Sequence, residues 1–323
     1  MTTAGRRGAI GAPAAPVPTP SGLPEVSCVI CTTPRSGSWL LAEALLATGA
    51  AGRPEEYFRP DWYRRFRAVG HLDYQHRLDF WSTGDRDEGI NGPAMVPSPG
   101  TADSSQIKSR DTGSYRTFLE TVRAIGTLNG VFAVKIHRNQ LSRAVKYACQ
   151  EEPGIDDVAL LASWLPQPRF IFLRRLDTIR RAVSHYRALQ TGMWWNDGTR
   201  RNNHRAVVDG ASPPIDPAKI HRLLQSCALQ EWQWEDFFRR AGINPLRISY
   251  EDLVLDLDRT IAQVLGHVNG DAGQLLTFPP PRLHRQADAW TEVAVHRYIT
   301  WRRAQQPGNE QDYGFDGAGL VTS

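Results

Sequence analysis

The run Val26 to Gly49 constrains the fold more than any other part of the chain. Val26-Ser-Cys-Val-Ile-Cys31 has the length and β-branched content of a buried strand. Thr32 to Ser38 is loop chemistry. Trp39, Leu40, Ala44 and Leu45 then recur at helical spacing, and Gly49 is a helix stop. A strand that passes through a small-residue loop into a helix N-terminus presents backbone N–H groups and a positive dipole end to an anion. Arg35 adds a planar fork suited to phosphate or sulfate. The loop is not a G-x-x-x-x-G-K-[ST] motif. Arg35 precedes Ser36-Gly37-Ser38, and no Lys-Ser/Thr pair follows. The hydroxyl that holds magnesium beside a triphosphate is therefore missing. An ordinary strand–turn–helix with a surface arginine fits the same pattern, so the loop alone does not decide the function.

Three further segments resemble the first strand. They are Gly130 to His137, Pro168 to Arg174 and Pro245 to Tyr250. Helical patterns run from Leu141 to Gln150, Asp177 to Thr191, Pro217 to Ala241 and Asp256 to Val268. Asp216-Pro217 supplies a cap and a first-turn proline. Strands alternating with helices predict an α/β fold with a central parallel sheet and helices on both faces. Ligands bind such sheets at the C-terminal ends of the strands. The domain is expected over residues 23–305, with a disordered leader at 1–22 and a flexible tail at 306–323. Residues 59–113 are too long for a plain connection, hold many aromatics and read as an insertion or acceptor lid over the site. A surface excursion packed by its own aromatics is the alternative.

The 323 residues are 41% hydrophobic, enough to bury a large core. A formal charge of +4 suits a small polyanionic ligand and is too weak and dispersed for nucleic acid. The first 22 residues lack the apolar region of a signal peptide, and no apolar run is long enough to span a membrane. Four cysteines are expected to be buried, reduced thiols in the cytoplasm. Cys28 and Cys31 lie within one strand, with side chains on opposite faces, and Cys149 and Cys227 are isolated. No metal site is expected.

Arg175 stands at a strand tip and Ser184 lies on the following helix. Such a pair can converge on one phosphate, although a solvated basic helix face gives the same pattern. Taken together, Thr33-Pro-Arg-Ser-Gly-Ser38, Arg175 with Ser184-His-Tyr, and Ser249-Tyr-Glu-Asp-Leu253 resemble sulfotransferases that use 3′-phosphoadenosine 5′-phosphosulfate (PAPS). The resemblance is greatest to the bacterial trehalose 2-sulfotransferase family. Ala47 to Phe58, Tyr115 to Val122 before Asn129-Gly-Val131, Lys135, Arg187-Ala-Leu-Gln-Thr191 and Arg285-Gln-Ala-Asp288 extend it.

The resemblance implies a P-loop-NTPase-like three-layer fold. It implies PAPS as donor, PAP as product, no metal, a sugar-containing hydroxyl acceptor and a homodimer. It places the 5′-phosphosulfate on Arg35, Ser36, Gly37, Ser38 and the backbone of Trp39, where the family often has Thr. It places the 3′-phosphate on Arg175 and Ser184, with Tyr250, Arg285 and Gln286 around the nucleotide. Residues 59–113 do not match the family's pattern, and the acceptor is left open.

Sulfuryl transfer needs alignment of two oxygens, charge neutralisation and a base for the acceptor hydroxyl. The resemblance puts the base at Glu56, within Gly52-Arg-Pro-Glu-Glu-Tyr-Phe58. Tyr57 and Phe58 are expected to desolvate its carboxylate and raise its pKa, with Glu55 left in solvent. His137 is the rival, because Lys135-Ile-His137 resembles a Lys-x-His that supplies the base in cytosolic sulfotransferases. It otherwise binds the acceptor. Arg35, assisted by Lys135, faces the bridging oxygen. A P-loop-like kinase using ATP and an inactive nucleotide-binding protein are the competing classes.

Overall fold

A computed structural model describes residues 24–72, 113–194, 212–270 and 288–305. Strand β1 (Val26–Thr32) is buried from Ser27 onwards. Cover on both faces explains why it reads as a continuous apolar run. The chain turns through Thr33–Gly37 into α1 (Ser38–Thr48), which ends at left-handed Gly49. Helices α2 (Pro60–Val69) and α3 (Tyr115–Gly126) precede the short β2 (Thr127–Leu128) and β3 (Val131–His137). Next come α4 (Arg138–Ala148), α5 (Asp157–Trp164), β4 (Pro168–Arg174) and α6 (Thr178–Thr191). The long α7 (Pro217–Ala241) leads to β5 (Leu246–Ser249), α8 (Tyr250–Leu255), α9 (Leu257–Asn269) and α10 (Ala289–Ala304).

The sheet runs β2-β3-β1-β4-β5. Strand β1 is central and parallel to β3 and β4, and β5 is parallel to β4. These are the four strands the sequence predicts. The two-residue β2 pairs antiparallel with β3 at one edge and is too short to show any period. Thr32 stands opposite His137 on one side and Leu173 on the other, and Arg174 opposite Ser249. The four strands thus end level, and the loops leaving them converge.

Alternation along β1 divides the core. Val29 and Cys31 join Phe132, Val134 and Phe172 on one face. Cys28 and Ile30 join Leu41, Leu45 and Ala133 on the other. The two cysteines therefore cannot act as a pair. Leu41 and Leu45 are 0% exposed, and truncating either to Ala should cost about 2–5 kcal/mol. Cys149 is only half-buried, unlike the other three thiols and contrary to expectation.

The start of the expected insertion belongs to this core. Trp62, Tyr63 and Phe66 of α2 are buried, and Tyr63 packs edge-on against Tyr115 at 4.9 Å. An aromatic stripe on an amphipathic helix has found a partner helix here rather than a surface. Residues 73–112, the leader and the tail lie outside the described residues. Helix α10 closes a third cluster with α6 and α7 through Ala294 and Tyr298. Among the described residues no helix is long and apolar enough to cross a membrane.

Candidate active site

The loop after β1 is built around an open helix end. Gly37, the N-cap of α1, has φ 82° and no side chain caps the helix. First-turn N–H groups are thus left for another acceptor. Arg35 is also left-handed, at φ 66°, a conformation that costs a non-glycine residue about 1–2 kcal/mol. The Ser36 hydroxyl is used internally. It donates to the Thr33 carbonyl at 2.9 Å and lies 3.0 Å from Thr33 Oγ1. What Ser36 offers a ligand from this buried turn is mainly backbone. Arg181 of α6 supports the turn from below. Its Nη1 donates to Thr33 Oγ1 at 3.3 Å and pairs with Glu231 of α7.

Tyr250, the first residue of α8, lies against this loop. A Cβ on Gly37 would stand 2.5 Å from Tyr250 Cδ2, so only glycine fits. The Arg175 guanidinium sits 4.7 Å from the centre of the same ring. Ser249 and Asp252 close a capping box that fixes Tyr250 at the β5 tip. Glu251 takes no part in that box. It reaches across to accept the N–H groups of Leu176 and Asp177, at 3.0 and 3.2 Å, and so fixes the turn that carries Arg175.

Arg35 connects the loop to α6. Its Nε donates to Ser184 Oγ at 2.9 Å, and its Nη1 to the Trp194 carbonyl. Burial pushes the Arg35 guanidinium down to about 10. Arg175 and Arg187 add to that shift and Tyr250 opposes it. Burial lowers Arg175 as well, against the pull of Tyr250, Asp177 and Glu251. Two partly desolvated cations at one loop invite an anion.

Across the sheet tip lies a carboxylate network. Gly52 makes it possible. Its φ is 71°, and a Cβ there would meet the Val131 carbonyl at 2.6 Å. The chain therefore runs close beside β3, where Lys135 N donates to the Glu55 carbonyl at 3.0 Å. Glu56 follows at the strand tip. Its Oε1 stands 2.7 Å from Lys135 Nζ and 3.4 Å from His137 Nε2. Its Oε2 accepts from Gln140 Nε2 at 2.7 Å. Gln140 also accepts from His137 N at 3.0 Å, which ties the network to the start of α4. Lys135 is fully buried, with its ammonium 3.9 Å from the centre of the Trp39 ring.

Two expectations are corrected here. Burial pushes the Glu56 carboxyl up, as expected. Lys135, His137 and Arg59 outweigh burial and hold it well below the usual carboxylate range. Glu55 is not in solvent. It is 1% exposed, and its Oε1 accepts the N–H of Glu56 at 2.9 Å. Lys135 is buried beside them.

Residues 27–300 match the family model described as Stf0 sulphotransferase. The chain belongs to the Stf0 sulfotransferase family. Trehalose 2-sulfotransferase of Mycobacterium tuberculosis (strain ATCC 35801 / TMC 107 / Erdman) is 30% identical over 283 residues, 86% of this chain and 95% of that protein. Trehalose 2-sulfotransferase of Mycolicibacterium smegmatis (strain ATCC 700084 / mc(2)155) is 28% identical over 287 residues, 87% and 96% of the two chains. The Stf0 match runs from the second residue of β1 through β5 and takes in both groups of residues described above. Arg285 and Gln286 lie outside the described residues. Sequence reasoning names Glu56, His137 and Lys135 as neighbours in function but misses Gln140 and Arg181. Gln140 carries a signal, three residues after a strand-end His, as the far half of a capping box. Arg181 has only its place one turn before Ser184 on the same helix face. Among the described residues no cluster of His, Cys, Asp or Glu is arranged to hold a metal ion.

Proposed function

We propose that this Stf0 sulfotransferase transfers a sulfuryl group from PAPS to a hydroxyl of a sugar-containing acceptor. The observation that carries the proposal is the 2.9 Å bond from Arg35 to Ser184, which joins the open N-terminus of α1 to the helix that follows Arg175. The residues present fit a nucleotide with anions at two positions. The α1 N–H groups and Arg35 hold the 5′ end, Arg175 and Ser184 the 3′-phosphate, and Tyr250 the adenosine side of the loop. The family resemblance assigns Arg285 and Gln286 to the nucleotide as well. The names of the two relatives support trehalose or another sugar as acceptor.

PAPS supplies the sulfuryl group on a phosphate leaving group. Arg35 and the α1 N-terminus neutralise charge on that phosphate as the bridging bond breaks. Glu56 takes the proton of the acceptor hydroxyl as its oxygen bonds to sulfur. The cations around Glu56 keep it ionised at neutral pH, at the expense of some basicity. Protonation of Glu56 leaves Lys135 without its counter-charge, and the ammonium then faces the charge that grows on the leaving group. His137, beside the same oxygen, orients the acceptor.

Thermal shift with PAP, ADP and ATP-Mg tests the donor, and transfer of ³⁵S from labelled PAPS to trehalose and a panel of glycosides tests the acceptor. PAP alone should stabilise the protein strongly. Stabilisation by ATP-Mg instead would establish the kinase class. No response to any nucleotide would point to an inactive protein.

A further inference from the structure

His185 follows Ser184 on α6 and is 5% exposed. Its Nδ1 is buried and has no hydrogen-bond partner. A buried polar atom left unpaired calls for an explanation, because it has given up water for nothing in return. The ring packs 5.9 Å from that of Trp194, whose carbonyl accepts from Arg35. Burial first, and then Arg35, His137 and Arg181, push the His185 ring down to about 3. The imidazole is therefore neutral at pH 7.

Its place gives this neutrality a purpose. The preceding residue, Ser184, is bonded to Arg35 at the anion loop. His137, which like Arg35 acts electrostatically on the ring, lies 3.4 Å from Glu56. His185 is thus within electrostatic reach of Arg35, which holds the donor, and of His137, the neighbour of the group that takes the acceptor proton. A sulfuryl group passing between them presents three acceptor oxygens. A cation at this position would be repelled by Arg35 and Arg181 and would compete for Glu56. A neutral N–H avoids both penalties and still donates.

We infer that Nδ1 of His185 donates a hydrogen bond to a sulfuryl oxygen of the bound donor. The inference rests on PAPS being that donor. PAP lacks the sulfuryl group, so the difference between the two ligands isolates the contact without any acceptor present.

The test is calorimetry of PAPS and PAP on the full chain and on His185→Leu, His185→Asn and His185→Gln. Leu keeps volume without polarity, Asn places a donor near the Nδ1 position, and Gln reaches towards Nε2. His185→Leu should weaken PAPS about tenfold, the scale of one hydrogen bond, and change PAP less than about twofold. His185→Asn should recover most of the loss and His185→Gln should not. Equal weakening of PAPS and PAP, or of neither, would overturn the inference in favour of a ring that merely fills space beside Trp194. Rescue by Gln rather than Asn would overturn the assignment to Nδ1. If His185→Leu fails to fold, the Asn and Gln variants still decide the matter through their ratios of PAPS to PAP affinity. A wild-type protein that binds neither ligand would instead remove the PAPS reading itself.

Discussion

Glu56→Gln exchanges one oxygen for an amide and barely changes volume, yet the surroundings of Glu56 make it costly. Lys135 is 0% exposed, and its Nζ stands 2.7 Å from Glu56 Oε1. Gln cannot balance that ammonium. Removing one partner of a buried pair costs about 3–5 kcal/mol. The Trp39 ring, 3.9 Å from the same ammonium, offsets about 1–2 kcal/mol of this. The net expectation is a loss of about 1–4 kcal/mol of stability. Lys135→Met is milder, because Glu56 keeps Gln140 at 2.7 Å and His137 at 3.4 Å. The double variant buries no unbalanced lysine, so the two losses should not add. A coupling of about 2 kcal/mol is expected. Urea unfolding of the four proteins, with equal slopes, measures it. Additive losses, or a Glu56→Gln variant within about 0.5 kcal/mol of wild type, would refute the electrostatic account. The pH dependence gives a second check. Burial pushes the Glu56 carboxyl up, but Lys135, His137 and Arg59 hold it well below the usual range. Its contribution is therefore fully present above the ordinary carboxylate pKa and is lost as pH falls through the depressed value. The stability gap between wild type and Glu56→Gln should narrow on acidification.

In the transfer assay, Glu56→Gln should lower kcat by ~10²–10⁴ in saturating acceptor, whereas His137→Ala should mainly raise the acceptor KM. A large kcat loss in His137→Ala with little in Glu56→Gln would move the base to His137. The acidic limb of kcat/KM should lie below the ordinary carboxylate range, since Glu56 is held down there, and a limb near neutrality that survives Glu56→Gln would contradict that assignment. Arg175→Ala should weaken PAP by ~1.5–3 kcal/mol, and calorimetry showing unchanged affinity would remove Arg175 from the nucleotide site. Gly37→Ala should abolish PAP binding, because its Cβ would meet the Tyr250 ring at 2.5 Å and its φ is positive. Wild-type affinity in that variant would show that the loop does not hold the donor.

The fold was legible where burial imposes a pattern. Strands β1, β3, β4 and β5 are short apolar runs because helices cover both faces, and Asp216-Pro217 marks the start of α7 for a reason local to the helix end. The edge strand β2 has too few residues to carry a period. Helix α2 was hidden by its own composition. Trp62, Tyr63 and Phe66 suit a lid as well as a core, and only contact with Tyr115 and Phe118 of α3 distinguishes the two.

The site was legible as a set of residues but not as a set of charges. Motifs locate Arg35, Glu56, Lys135 and His137 because each stands at a loop or strand end. Their ionisation depends on distances across the sheet tip, and local sequence says nothing of these. Neighbouring aromatics suggest a raised Glu56. The ammonium of a lysine 79 residues away decides the opposite. Trp39 shows the same limit from the other side. Its indole is useless as a phosphate ligand, so sequence reasoning keeps its side chain out of the anion site. The anion loop needs no side chain at that position, since α1 offers its own N–H groups. The ring lies against Lys135, the buried ammonium whose counter-charge disappears when Glu56 accepts a proton. An aromatic face weakens the penalty at that moment without competing for the proton, which a carboxylate in its place would do. Trp39→Leu should therefore leave PAP affinity near wild type while lowering kcat, and an unchanged kcat would show that Trp39 serves packing alone.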